Sequence, residues 1–257
     1  MLLSEILAQR TFWRRFEPFP HVIARDVFTD EVARSLADAF SAVLARGLSA
    51  AREPGRFSRS VPGYGAFVFN LGPDTEGPLS VFMSREWHDM LARMFGVEAT
   101  LDVDVALHHH EPNSPSGWVH NDLNPGFFVD QPRPDGVNAS DAGACDYQTG
   151  AGARRPLRET VRAVALLYFL ANDRWSPGDG GETGLFTEQW RDVNEPFARV
   201  PPVNNSLVAF ECTPRSYHAF LTNRRASRSS VVMWLHRRKS EVVARWGERS
   251  IQRWPGT

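Results

Sequence analysis

Residues 205–236, NSLVAFECTPRSYHAFLTNRRASRSSVVMWLH, decide the fold class. Three short apolar runs, at 206–212, 217–221 and 228–236, are separated by polar segments holding Thr, Pro, Asn and Ser. Runs of this length, rich in Val, Phe, Tyr and Trp and broken by turn formers, read as β-strands. Further candidates lie upstream at 183–186, 161–170, 118–121 and 101–109. Many short strands without helical pattern between them imply a β-sandwich or barrel and exclude a parallel α/β sheet.

Before residue 101 the pattern is helical. After a short apolar stretch at 21–24, Thr29 or Asp30 caps a helix running to about residue 46, with Val32, Leu36, Phe40, Val43 and Leu44 on one face. A second helix is expected over 79–95, carrying Phe82, Met83, Trp87, Met90, Leu91 and Met94. Both read as packing helices. One stretch stands apart: PGFFVDQPRPDGVNASDAGACDYQTGAGARRP, residues 125–156, is rich in Gly, Pro, Asp, Asn and Ala. A loop this long is usually a functional lid or unstructured, and its place directly after the motif described below favours a lid.

The 257 residues carry a net charge of −1, so no global field draws nucleic acid or an anionic membrane. Lys239 is the only lysine, so almost every cation is a planar guanidinium suited to carboxylate, phosphate or sugar contacts. Two cysteines, Cys145 and Cys212, are too few for a disulfide framework or a structural zinc site. The opening MLLSEILAQRTFWRR lacks the plan of a secretory leader, and no apolar run is long enough for a bilayer. The expectation is a cytoplasmic monomer or homodimer, organised as one domain over 1–257.

The chemistry is concentrated in WVHNDLNP, residues 118–125. In a strand His120 and Asp122 share a face, so imidazole and carboxylate converge on one metal. His218, directly after an apolar strand, supplies a second imidazole. Two histidines and one carboxylate form the facial triad of non-haem Fe(II) enzymes and leave coordination positions open. Arg228 lies ten residues beyond His218, and alternation places Ser230, Val232 and Trp234 on its face. A bidentate arginine beside a hydroxyl suits the distal carboxylate of a keto diacid. Within HHH, residues 108–110, alternation turns His109 away from His108 and His110, so the three cannot form one metal site.

The pattern resembles the 2-oxoglutarate/Fe(II) oxygenase superfamily and, within it, the prolyl-4-hydroxylase-like branch. The resemblance rests on HND at 120–122, VRAVALLYFLANDRW at 161–175, GDGGETGLF at 178–186, SLVAFECTPRSYHAF at 206–220 and RSSVVMWL at 228–235. PFPHVIARDVFTDEVARSLADAF at 18–40 is similar to the branch's opening strand and helix. It covers residues 19–236 and excludes the 125–156 insertion.

The resemblance implies a mainly β fold: a double-stranded β-helix (jelly-roll, cupin-like) core over 101–240, braced by α-helices within a support region over 1–100. It implies Fe(II) on His120, Asp122 and His218, and 2-oxoglutarate on Arg228 with Ser230, Trp234, Leu167 and Phe169 around it. Where the branch often offers a tyrosine hydroxyl this chain has Phe169, and His110 is the candidate replacement. With O2 as second cosubstrate, the implied reaction yields succinate, carbon dioxide and an oxidised substrate. Asp122 favours hydroxylation over halogenation, with desaturation, epimerisation or ring closure as related outcomes. Trp118, Asn124, Arg154 and Arg155 are candidate substrate contacts. The expected substrate is a small polar molecule, such as a sugar- or amino-acid-derived natural product. A peptidyl prolyl-type hydroxylase and a non-catalytic metal- or sugar-binding jelly roll are the competing readings.

Overall fold

The computed structural model describes residues 2–8, 11–59 and 64–253. Residues 1, 9–10, 60–63 and 254–257 lie outside it, and with them parts of the N-terminal stretch read above and of the expected support region. The strands are β1 Trp13–Arg15, β2 His21–Arg25, β3 Leu48–Ser49, β4 Phe57–Ser58, β5 Phe67–Leu71, β6 Asp102–His110 and β7 Pro125–Val129. They continue as β8 Asn138–Ala139, β9 Leu157–Phe169, β10 Thr183–Leu185, β11 Ala198–Val200, β12 Ser206–Glu211, β13 His218–Phe220 and β14 Arg228–Arg238. The helices are α1 Leu3–Ile6, α2 Asp30–Leu44, α3 Arg85–Phe95 and α4 Lys239–Trp246.

The large sheet runs β1-β2-β12-β9-β14-β6-β5-β4-β3, with β7 added on β9 and β8 on β6. A small sheet runs β11-β10-β13. Helices α2 and α3 cover one face of the large sheet, burying Leu36, Phe40, Trp87 and Leu91 against Val105, Leu166, Tyr168 and Met233. The other face meets the small sheet, where Leu167, Phe169, Val208 and Trp234 pack with Leu185 and Val200. This is the mainly β, helix-braced double-stranded β-helix expected. Among the described residues no helix is long and apolar enough to cross a membrane. Cys145 and Cys212 are buried free thiols.

Three expectations need correction. The helix over 79–95 is broken: Pro78–Met83 forms a tight 3-10 turn, and Ser84 then caps α3 by accepting from the Trp87 amide. A serine hydroxyl competing for that amide starts a new helix rather than continuing one. Residues 118–121 are not a regular strand; His120 makes only an isolated antiparallel bridge with His218. The 125–156 stretch is not a free loop. β7 pairs with β9 and β8 runs parallel to β6. Side chains repeat that register, Asn138 bonding Asp102 and Ser140 bonding Asp104.

At Gly180 the chain turns into β10 with φ +78°, and a Cβ there would stand 2.1 Å from the Thr222 carbonyl oxygen. Gly180→Ala should therefore destabilise the protein by roughly 2–4 kcal/mol through left-handed strain and backbone overlap. A denaturant midpoint equal to that of the parent protein would refute this.

Candidate metal centre and its cavity

Asn121 shapes the metal cluster before either flanking residue does. Its side-chain oxygen accepts the Leu123 amide, an Asx turn, and Asp122 adopts a left-handed φ of +59°. Aspartate tolerates that conformation better than most residues. The carboxylate thus reaches the histidines through a turn, not through strand alternation. The isolated bridge, with backbone bonds of 3.0 and 2.8 Å, holds His120 against His218.

Each imidazole is oriented by a carbonyl. His120 Nδ1 donates to Trp118 O at 2.9 Å, and His218 Nδ1 donates to Ser216 O at 3.1 Å. Protonation of Nδ1 leaves Nε2 as the lone-pair nitrogen in both rings, the tautomer a ligand needs. These Nε2 atoms lie 3.5 Å from Asp122 Oδ1 and Oδ2 respectively. The three ligand atoms fall within 4.8 Å of one another. Burial, then the neighbouring His218, pushes His120 down to about 4, so it is a neutral ligand at neutral pH.

A buried carboxylate needs compensation, and Arg162 supplies it at 2.9 Å from Oδ1. The Trp234 indole donates to Oδ2 at 2.8 Å. Burial opposes ionisation of Asp122, but the Arg162 charge beside it prevails and holds it well below the usual carboxylate range. Arg162 reaches this face because of a bulge. The β9–β14 register pairs Leu235 with Val164 but His236 with Arg162, so Ala163 is skipped. One extra residue flips the parity and turns Arg162 to the side of Leu167. The guanidinium lies 3.7 Å from the Trp234 ring centre, and its Nε donates to the Tyr147 hydroxyl.

Arg228 is the opposite case. It is fully buried, donates to Thr183 Oγ1 at 3.3 Å and stands over Phe169 and Phe220. Among the described residues its Nε and the Ser230 hydroxyl have no hydrogen-bond partner. Burial alone lowers its pKa to about 10. A buried cation with an orphaned donor, beside an orphaned hydroxyl, is a socket for an anion. The donor set and this socket therefore fit a divalent metal and a keto diacid.

The cavity brings together His120, Asp122, His218, Arg228, Trp234 and Leu167. Phe169 lies under the Arg228 guanidinium, at 5.1 Å. His110 does not supply the expected polar contact: its ring stacks on Phe220 at 3.7 Å, both nitrogens lack partners, and Phe220 faces the cavity instead. Asn124 turns its amide to the Gln252 carbonyl and serves the fold. Arg154 and Arg155 are exposed and off the wall, Arg155 bonding the Asp130 carbonyl. Trp118 packs beside Tyr64 and His120, also off the wall. Arg162, Tyr64, His108, Asp104 and Tyr147 are wall residues that the sequence reading passed over. Arg162 had a visible signal, being the one charge inside an apolar run.

A mainly β double-stranded β-helix with a buried His-Asp-His cluster opening on a cavity defines a class of non-haem metal sites. The model of the 2OG-Fe(II) oxygenase superfamily matches residues 145–236, which include His218 and Arg228. Among solved structures, a prolyl-4-hydroxylase from Pseudomonas putida is 17% identical over 84% of this chain and 92% of its own, with a TM-score of 0.55. A prolyl hydroxylase from Trichoplax adhaerens, in complex with a hypoxia-inducible-factor peptide fragment, is 14% identical over 87% and 86%, with a TM-score of 0.54. No curated protein matches the chain in sequence. Residues 145–236 are thus similar to the 2OG-Fe(II) oxygenase superfamily, and the fold is prolyl-4-hydroxylase-like.

Arg162→Met leaves Asp122 as an unpaired buried charge and should destabilise the metal-free protein by about 3–5 kcal/mol. Saturating Mn(II) should restore part of that loss by binding the native state. Thermal unfolding with and without Mn(II) measures both, and an unchanged melting temperature would exclude this role for Arg162.

Proposed function

We propose that His120, Asp122 and His218 hold the Fe(II), that Arg228 and Ser230 receive the distal carboxylate of 2-oxoglutarate, and that the enzyme oxidises a small polar molecule in natural-product biosynthesis. The chain acts as one oxygenase domain over 1–257. Bound there, the iron with 2-oxoglutarate and O2 supplies C–H oxidation, releasing succinate and carbon dioxide. Hydroxylation is the simplest outcome.

The chain's own residues do four things. The Trp118 and Ser216 carbonyls fix the imidazole tautomers. Arg162 and Trp234 hold both oxygens of Asp122, so the carboxylate is pre-aimed. Phe169, Phe220, Leu167 and Val232 make an apolar sleeve around the Arg228 socket and exclude water from it. The 140–148 segment roofs the chamber above.

That roof is the observation carrying the small-molecule reading. Ser140, Ala142, Asp146, Tyr147 and Gln148 line the cavity. They are tied down by Ser140 on Asp104, by Tyr147 on His236 at 2.9 Å and by Arg162 on Tyr147 at 3.1 Å. A peptide would need an open groove, and cavity-wall side chains fastened in this way favour a smaller substrate. The Pseudomonas and Trichoplax proteins are named as prolyl hydroxylases, and the likeness to them lies in the fold.

Anaerobic titration of the apoprotein with Fe(II) and then 2-oxoglutarate should give the weak visible charge-transfer band of a chelated keto acid. His218→Ala should abolish the band, and Arg228→Ala should weaken 2-oxoglutarate binding roughly 10–100-fold, as expected for losing hydrogen bonds to a charged group. Folded, iron-loaded protein without a band would replace this reading with a non-catalytic jelly roll.

A further inference from the structure

Asp104 is a cavity carboxyl whose one part in the arrangement above is to fasten Ser140. It stands on β6 opposite Trp234, whose indole holds Asp122, and it is 5% exposed. Ser140 donates to its Oδ1. Among the described residues its Oδ2 accepts no hydrogen bond, and Asp104 lines the cavity. Burial pushes its pKa up, offset only in part by Ser140 and Arg162.

The cations around it are engaged. Arg162 is committed to Asp122, and Arg52 rests 3.5 Å from Asp146 at the cavity wall. Arg228 is the keto-acid socket. What this part of the chamber offers a ligand is therefore an acceptor, Asp104 Oδ2, with the Asn70 and Gln148 amides also on the wall. A neutral hydroxyl would leave the buried carboxylate uncompensated or protonated. An ammonium would compensate it and form a charge-assisted hydrogen bond.

We propose that Asp104 anchors the substrate through an ammonium group, so that the enzyme oxidises a small polar amine. This rests on reading the cavity as the substrate chamber. Ser140 is the positioning residue. Because it is delivered by β8, two residues beyond the Asn138–Asp102 bond, the anchor and the roof are set by one register.

The test uses metal-free full-length protein and calorimetric titration with size-matched probes: amino alcohols and amino sugars, the corresponding diols and sugars, and hydroxy acids. Ammonium probes should bind roughly tenfold or more tightly than their neutral counterparts, the scale of a hydrogen bond to a charged group. Asp104→Asn should erase that preference, and Ser140→Ala should reduce it. Circular dichroism checks folding; if Asp104→Asn does not fold, the response of Ser140→Ala decides. Equal binding of neutral or acidic probes, an ammonium preference that survives substitution, or no binding of any ammonium probe overturns the assignment. Neither iron nor keto acid is present, so this outcome is separate from the charge-transfer band, which tests the oxygenase reading in the wild type.

Discussion

The buried pair between Arg162 and Asp122 is the constraint on which the site depends. A carboxylate in this interior would otherwise be driven toward its neutral form, and a neutral acid is a poor metal ligand. Arg162 keeps it ionised, and the Trp234 indole occupies its second oxygen. The guanidinium in turn stacks on Trp234 and bonds Tyr147, a residue of the roof. Metal cluster, large sheet and roof therefore meet at one side chain. That side chain faces the right way only because β9 carries one residue more than β14 at Ala163.

The two buried arginines of the cavity divide the electrostatic work. Arg162 is paired from within the chain, with Asp122 and the Tyr147 hydroxyl. Arg228 is left with an orphaned nitrogen between two aromatic rings, which bring no full charge to match its own. Folding a cation into that position is unfavourable by itself, and an anion bound there would recover part of that cost.

Much of this was legible in the sequence. Most strands from residue 101 onward followed from short β-rich runs broken by turn formers, and the face shared by Arg228, Ser230, Val232 and Trp234 and the separation of His109 from its neighbours followed from period-two alternation. Other features were hidden because they depend on departures from regularity. The bulge at Ala163 reverses parity, so a charge that alternation would bury among core residues instead serves the metal cluster. Asp122 reaches the histidines through a left-handed turn set by Asn121, a local device that strand reasoning does not anticipate. His110 has the right parity, but ring stacking on Phe220 decides its environment. Pairing of β8 with β6 joins residues 36 apart in the chain, beyond the reach of any local pattern. For the same reason the 125–156 stretch read as a loop although its backbone is partly sheet.

The way that stretch is fastened has an evolutionary corollary. Its side-chain attachments at the cavity run to Asp102, Asp104 and His236, and through Tyr147 alone to Arg162, the partner of Asp122. Side chains at 142, 146 and 148 can thus be exchanged with little mechanical effect on the oxidising centre. Under the proposed function, those three positions would be where the chamber changes most easily while the metal cluster and the arginine socket stay as they are.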